Sequence, residues 1–294
     1  MTTCLLIPKI WNASEDYNKL FKLWEQICKS PLKEDFELDF KTCNFLGHNG
    51  VAFLGGLAHL IQYRGGRVTF LWHTVEPNIK MNLAQNRFLY CFGGSQESWD
   101  GNSIPYRSDC HHDKSEIMEY LLEKWLGKGW LNISTPLQNA IAGKVSEIYG
   151  NAFEHSDSQI GVFSCGQYYP AKNRLDLSVV DFGVGIAEKV RTLTENENFS
   201  SEEALSWALA YGNSTVRGIS RGLGLNLLQE FIQCNEGTLR IFSNDGYVKI
   251  EDNKAIYKKQ KINFLGTLIN ITIRCDELYY CLDSEICDAD SISF

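Results

Sequence analysis

The chain has 294 residues, of which 44% are hydrophobic, 12% aromatic and 22% charged. These proportions are typical of a globular protein and exclude a disordered, collagen-like or coiled-coil chain. The formal net charge of −8 argues against sequence-independent binding of DNA or RNA, because an acidic surface repels a phosphate backbone.

The sequence shows no signal for secretion or membrane insertion. Its first residues, MTTCLLIPKIWNASED, lack the basic start of a signal peptide, and the longest stretch without Asp, Glu, Lys or Arg (42–63) contains four glycines and several polar residues. The ten cysteines include no C-x-x-C pair, and a chain of this length does not need a disulfide framework. We therefore expect a cytoplasmic protein with reduced, mostly buried thiols.

The length predicts two domains, and residues 1–95 have the pattern of the first, a small α/β domain. Its predicted elements alternate: helix Ser14–Ser30, strand Phe36–Phe40, helix Asn49–Tyr63 and strand Arg67–Trp72. A strand, an apolar turn, Gly50, a helix, Gly65-Gly66 and a strand follow in an order that resembles the STAS domain of anti-sigma-factor antagonists. The turn 47–50 reads Gly-His-Asn-Gly and lacks the serine that phosphorylatable members carry. The resemblance implies a docking platform without that switch; the alternative is a shared α/β layout alone.

Residues 96–130 have the composition of a linker followed by a connecting helix. The segment 93–113 is rich in Gly, Ser, Asn and Asp and contains Pro105, whereas Ser115–Leu126 places its apolar residues on one helical side. Within it, Cys110-His111-His112-Asp113 resembles a metal cluster, but four consecutive ligands cannot all face one ion. A second domain is predicted over 131–275, and an acidic tail, 276–294, is expected to fray or to cover a basic surface.

The second domain begins with a predicted long helix, Leu137–His155. Its apolar residues form a core stripe at three- and four-residue steps: Leu137, Ile141, Val145, Ile148 and Ala152. Glu147, Asn151 and His155 follow at i, i+4 and i+8, and so form a polar stripe beside it. A carboxylate in such a stripe can deprotonate a nucleophile, and an amide oxygen can bind a hard cation such as Mg²⁺.

Three further segments carry residues suited to a nucleotide. A predicted strand, Arg174–Val180, leads into Asp181-Phe182-Gly183-Val184-Gly185-Ile186, where a carboxylate at a strand end can accept a hydrogen bond from an adenine amino group. The segment 218–225, GISRGLGL, offers backbone amides and an arginine to phosphates. Thr267, at the start of the predicted strand Gly266–Ile273, can make a second polar contact beside the adenine. The Rossmann and Walker patterns are missing.

In this order, E-x-x-x-N-A-x-x-H, D-x-G-x-G-I, R-G-L-G-L and G-T resemble the GHKL superfamily of ATP-binding domains. The resemblance spans about residues 135–275 and is nearest to the anti-sigma-factor serine kinases and histidine-kinase-like ATPase domains. It implies an α+β fold in which a Bergerat-type sandwich, a mixed sheet with helices on one face, follows the STAS-like domain. It also implies ATP and Mg²⁺ as cofactors.

The resemblance assigns roles to individual positions. Glu147 matches the catalytic base, Asn151 the Mg²⁺ ligand, and Asp181 with Thr267 the adenine contacts. The predicted ATP-binding residues are Asn151, His155, Asp181, Gly183, Gly185, Ile186, Arg221, Gly222, Leu223, Gly224, Leu225 and Thr267. Residues 191–217 occupy the position of the mobile ATP lid, and a capping box at 200–203 predicts a lid helix that ends near Gly212.

Several alternatives remain open at this stage. Glu147 has the alternative role of a solvated surface acid, and His155 that of a helix cap. The main functional expectation is an ATPase that switches a regulatory partner, bound through the N-terminal domain, or a homodimer. The alternatives are a serine/threonine kinase of the anti-sigma type and a nucleotide sensor without turnover. A radiolabelled-ATP assay distinguishes them.

Overall fold

The computed structural model describes residues 2–95, 97–210 and 226–285, and it confirms the predicted α+β class. The described strands form two sheets. One is a three-stranded parallel sheet near the N-terminus, and the other is a five-stranded sheet built from the rest of the chain. No helix in the described ranges is both long and apolar enough to cross a membrane.

The N-terminal unit, residues 2–95, has the predicted alternation of strands and helices. Its strands lie in the order β1-β2-β3, and all pairs are parallel. Helix α1 begins where the Asp16 carboxylate accepts hydrogen bonds from the Trp11 and Ala13 amides, and it buries its apolar side, from Tyr17 to Ile27. The elements are β1 (Thr2–Leu6), α1 (Ser14–Lys29), β2 (Asp35–Asp39), α2 (His48–Tyr63), β3 (Val68–Phe70), a 3₁₀ turn (Trp72–Thr74), α3 (Pro77–Gln85) and α4 (Phe88–Cys91).

The second sheet has the strand order β4-β5-β6-β8-β7, and every pair in it is antiparallel. The prediction of a mixed sheet is therefore wrong for the described strands. The elements are β4 (Ser103–Asp109), α5 (Lys114–Glu119), a π-helical segment (Tyr120–Trp125), a 3₁₀ turn (Leu126–Lys128), α6 (Thr135–His155), β5 (Val162–Tyr169), a 3₁₀ turn (Pro170–Lys172), β6 (Arg174–Asp181), α7 (Ile186–Thr194), α8 (Ser201–Leu209), α9 (Asn226–Cys234), β7 (Thr238–Glu251) and β8 (Lys254–Arg274).

Helices cover both faces of this sheet, not one face as predicted. Helices α6 and α9 pack on the first face, where alternate residues of β6 and β8, such as Leu177 and Ile271, are fully buried. Helices α1 and α2 pack on the second face, against Phe163, Phe242 and Phe264. Because these second-face residues are large and apolar, they need a cover, and the N-terminal unit supplies it. The two units therefore share one continuous core.

A buried polar contact accompanies this apolar layer. His48, the first residue of α2, places Nε2 at 2.9 Å from Asn270 Oδ1 on β8, and Ser178 donates to the same oxygen at 2.7 Å. Burial lowers the pKa of His48, so the imidazole is neutral, and Nε2 carries the proton because Oδ1 can only accept. The turn 47–50 thus leads directly into a buried contact between the two units.

Two segments differ from their predicted roles as linker and tail. The predicted linker contributes β4, an edge strand paired with β5; Pro105 lies at an irregularity in that pairing, where a missing N–H is tolerated. The described part of the predicted tail, 276–285, packs on the start of α6. Tyr280 is buried and exchanges backbone hydrogen bonds with residues 132 and 134, and Ser134 donates to Glu285.

The cysteines also differ from expectation. The nine that lie in the described part of the chain are free, but only Cys43, Cys165 and Cys275 of these nine are buried. The expectation of mostly buried thiols is therefore wrong, because the other six lie on or near the surface. These six lie on the edge strand β1, near helix ends and in loops, and the residue pattern gave no sign of their exposure.

Gly56 on α2 tests how tightly the two units pack. A Cβ there would lie 2.0 Å from Phe182 Cε2 and 2.9 Å from Phe163 Cδ2, whereas a Cβ at Gly143 on α6 would meet no atom within 4 Å. We expect Gly56→Ala to lower the free energy of unfolding by about 2 kcal/mol through overpacking, and Gly143→Ala to raise it by about 0.5–1 kcal/mol through helix propensity. Urea denaturation of both variants measures these changes; equal effects would contradict the close packing.

Candidate functional site

One pocket brings together most of the sequence-predicted site residues within the described ranges. It opens between α6, the end of β6, the start of α7 and β8, and it encloses about 630 Å³ of empty space, including its open mouth. Its lining residues are Ile148, Asn151, Ala152, His155, Ser156, Val179, Asp181, Gly185, Ile186, Lys189, Thr267 and Ile269. Asn151, His155, Asp181, Gly185, Ile186 and Thr267 were predicted from the sequence. The walls are mainly apolar.

Helix α6 supplies one wall. Its N-cap, Ser134, accepts a hydrogen bond from the Leu137 amide, and its predicted apolar stripe is buried as expected. The pocket side of the helix carries Asn151 and His155, which are half-buried. The Asn151 side-chain amide has no hydrogen-bond partner among the described residues, so it is available to a ligand. His155 is also the last residue of α6. Its position is therefore compatible both with contact to a ligand in the pocket and with a role as a helix cap.

Glu147 lies outside the described pocket lining. Its side chain is 47% exposed, and its Oε1 pairs with Lys144 Nζ at 2.8 Å. It stands one helical turn before Asn151 on the same side of α6, because residues four apart share a helix face. The structure therefore places the predicted base near the pocket but engaged by a lysine.

Asp181 ends β6 at the base of the pocket. It is the cross-strand partner of both Val162 and Thr267, and only 5% of its surface is exposed. Burial raises the pKa of Asp181 to about 7, although hydrogen bonds from Gly183, Thr267 and Ser156 act in the opposite direction. The Gly183 amide donates to Oδ1 at 2.9 Å. A carboxyl group with this pKa changes its charge near neutral pH.

The glycines after Asp181 are required by close approaches of the backbone. A Cβ on Gly183 would lie 2.0 Å from the Ser156 carbonyl oxygen, and that oxygen accepts a hydrogen bond from the Val184 amide at 2.7 Å. Gly185 has a φ of +85°, a conformation that favours glycine, and a Cβ there would collide with Asn244 Oδ1. Gly185 lines the pocket, whereas Gly183 anchors the turn against the end of α6.

Two residues that sequence reasoning missed hold the same turn from β7. Ser243 Oγ accepts the Ile186 amide at 2.7 Å and donates to the Gly266 carbonyl at 2.9 Å. Asn244 accepts from the Ala187 amide at 3.1 Å and donates to the Val184 carbonyl at 2.9 Å. They satisfy the first amides of α7, which lacks a local cap. The turn-like composition of residues 243–246 was the available sequence signal, but it says nothing about this distant role.

Lys189 is a further pocket residue that the sequence did not single out. It lies on α7 at the rim of the pocket, and its Nζ pairs with Asp157 Oδ2 at 2.6 Å. A cation at this position adds positive charge beside the space that opens from Asp181. Lysine on an amphipathic surface helix is common, so its position in the helix pattern gave no sign of this location.

Phe182 connects the turn at the pocket to the second face of the sheet. It follows Asp181 in the sequence, but its ring points away from the pocket, to the second face. There it packs against Phe53, with a centroid distance of 5.1 Å, and against Phe264, at 5.5 Å. The alternation of the strand explains this orientation, because neighbouring residues face opposite sides. The N-terminal unit therefore supports the turn that forms the base of the pocket.

The predicted phosphate loop and part of the predicted lid are not described by the structure. Arg221, Gly222, Leu223, Gly224 and Leu225 lie outside the described residues, as does the predicted lid beyond residue 210. In the described part of the lid, the capping box forms as predicted: Ser200 accepts from the Glu203 amide, and Glu203 accepts from the Ser200 amide. The helix that follows, α8, ends at Leu209 rather than near Gly212.

Comparison with known proteins adds no assignment. No protein-family model matches the chain, and no curated protein is significantly similar to it. The motifs and the pocket geometry therefore carry the functional inference.

Asp181→Asn tests the buried carboxyl group. The pKa is about 7 in the folded chain and about 3.9 when unfolded, so the folded state binds the proton more tightly between these values. Stability should therefore fall as the pH rises through this range, by about 2 kcal/mol between about pH 5.5 and 8, and Asp181→Asn should remove this part of the dependence. Urea denaturation of both proteins at each pH measures it. His48 is present in both proteins and contributes the same pH dependence to each. Parallel curves of unfolding free energy against pH would therefore contradict the raised pKa of Asp181.

Proposed function

We propose that the pocket binds Mg-ATP and that nucleotide binding and hydrolysis switch a regulatory protein partner or a dimer. One observation carries the proposal. Three segments that are far apart in the sequence, 148–156, 181–186 and 267–269, line one pocket, and together they hold residues whose chemistry suits the base and the magnesium-bound phosphates of a nucleotide. A Bergerat-type site behind a STAS-like unit is the arrangement that we infer.

The base of the pocket suits adenine. Asp181 and Thr267 are cross-strand neighbours there, and the carboxylate can accept a hydrogen bond from the adenine amino group. Ile148, Val179 and Ile186 offer apolar surface to the flat faces of a base. Guanine presents a carbonyl oxygen where adenine presents its amino group. A carboxylate repels that oxygen, and the proposal therefore includes a preference for ATP over GTP.

Asn151 fits the role of magnesium ligand. Its side chain lines the pocket, and its amide oxygen has no competing hydrogen bond within the described residues, as a ligand to a hard cation requires. Mg²⁺, when bound, would neutralise charge on the phosphates. Asn151 would hold it on the α6 side, while Asp181 would contact the base.

The proposed hydrolysis depends on Glu147. Water attacks the terminal phosphorus of ATP, the bond to the bridging oxygen breaks, and ADP and phosphate leave; Glu147 accepts the proton of the attacking water. For this role Glu147 has to exchange its ion pair with Lys144 for the water. The observed Lys144 pair favours a second candidate, a nucleotide sensor without turnover. In the kinase alternative, Glu147 would accept the proton of a partner's serine or threonine hydroxyl.

Isothermal titration calorimetry tests nucleotide binding. With Mg²⁺ present, ATP should bind more tightly than GTP, and Asp181→Asn should weaken ATP binding about 10- to 100-fold, the effect of a lost charge-assisted hydrogen bond. Asn151→Ala should weaken it only when Mg²⁺ is present. Asp100→Asn, at an exposed position, serves as the matched control and should change nothing. The absence of saturable heat with any adenine nucleotide would refute the proposal.

Radiolabelled ATP tests turnover. We expect release of labelled phosphate from the wild-type protein and a loss of about 10²- to 10⁴-fold in Glu147→Gln, which should still bind ATP. Glu25→Gln on α1 is the matched control, because it makes the same change at a glutamate that is similarly exposed, 42%, and is also paired with a lysine. Label transferred to a protein would support the kinase, and no turnover in the wild type would support the sensor. Undiminished hydrolysis by Glu147→Gln would show that another group is the base.

A further inference from the structure

Strand β1 presents an unpaired edge. Among the described strands it pairs only with β2, at the outer end of the order β1-β2-β3. The Ile7 amide donates to the Asp39 carbonyl at 2.8 Å, on the β2 side. Because backbone groups alternate in direction along a strand, those of Cys4 and Leu6 point away from β2. Such a row of free amides and carbonyls is a template for an added strand.

A groove lies beside this edge, between β1 and α1. It is basic, whereas the chain as a whole is acidic. Three lysines on α1, Lys19, Lys22 and Lys29, line it, and no carboxylate is among its described lining residues. Lys19 pairs with Asp16 and Lys29 with Glu25, but Lys22 has no ion-pair or hydrogen-bond partner in the described part of the chain. The groove is thus a basic surface on a chain with a net charge of −8.

On the other face of the same strand, two apolar side chains are exposed at the edge, and the neighbouring strand β2 carries Glu37 and Asp39 beside them. Leu6 is 47% exposed and Cys4 is also exposed, and they lie on the strand face opposite to Leu5, which is buried. A strand laid along β1 would alternate its side chains between these two environments, because successive residues of a strand face opposite sides. One set would meet the lysines of α1, and the other would lie beside Cys4 and Leu6.

From this arrangement we infer that β1 accepts an extended acidic peptide of a protein partner as an additional strand of the parallel sheet. The partner segment alternates acidic and apolar side chains, and it gains backbone hydrogen bonds from the edge and ion pairs from α1. A second copy of this chain fits less well, since symmetric β1–β1 pairing would bring the two lysine-lined grooves together. The inference does not depend on the nucleotide site.

Fluorescence anisotropy with the whole 294-residue chain tests the inference. The probe is a fluorescein-labelled ten-residue peptide of alternating Val and Glu, and a Val-Lys peptide serves as the charge control. We expect saturable binding of the Val-Glu peptide and none of the Val-Lys peptide. The affinity for the Val-Glu peptide should fall as the salt concentration is raised, because salt screens the lysine contacts. Equal binding of both peptides, or no binding of the Val-Glu peptide, would overturn the inference.

Two variants locate the site. Lys22→Glu should weaken binding at least about 10-fold, whereas Lys258→Glu, the same change at an exposed position on β8, should leave it unchanged. Cys4→Pro removes an outward amide, which an edge strand tolerates, and should abolish binding while circular dichroism and thermal unfolding stay close to wild type. Undiminished binding by both variants would overturn the inference.

Amide hydrogen exchange supplies a readout of the added strand itself. The bound Val-Glu peptide should slow exchange at the amides of Cys4 and Leu6, which point away from β2. Protection elsewhere but not on β1 would contradict strand addition. Sedimentation of the free protein adds one more outcome: a dimer that Cys4→Pro dissociates would show that the edge belongs to a second copy, against the inference.

Discussion

The packing of α1 and α2 on the second face of the five-stranded sheet is the constraint on which the rest of the molecule depends. Phe21 stacks on Phe264 with a centroid distance of 4.8 Å, and Tyr17 stacks on Phe242 at 4.2 Å, so aromatic rings from both units fill one layer. Phe182 enters the same layer from the turn at the base of the pocket. Since a close-packed layer transmits displacement, a shift of the N-terminal unit and a shift of the turn at the pocket would act on shared atoms.

Burying the Asp181 carboxylate in the pocket costs folding free energy. Burial disfavours the charged form of Asp181, and the hydrogen bonds from Gly183, Thr267 and Ser156 offset only part of that effect, so its pKa stays raised to about 7. The presence of a carboxyl group among Val179, Ile186 and Ile269 is consistent with a ligand that uses it.

Local patterns explain why parts of the fold could be predicted. The stripe of α6 and the capping box of α8 each depend on residues within one or two helical turns, and both formed as expected. The edge strand β4 was missed because Pro105 and its polar flanks are typical of a loop, while its pairing with β5 depends on residues about 60 positions away. The roles of Ser243 and Asn244 were missed for the same reason, since their partners lie on another element.

The sequence by itself determined which residues share a helix side or end a strand, because the 3.6-residue and two-residue periods follow from backbone geometry. It therefore placed Asn151 beside His155, and Asp181 before a glycine turn. Only the tertiary structure decided that these groups surround one pocket, that Glu147 pairs with Lys144 at its margin, and that the N-terminal unit covers the second face of the sheet. Proximity between distant segments and the desolvation of a carboxyl group arise from the packing of whole elements, which no local pattern encodes.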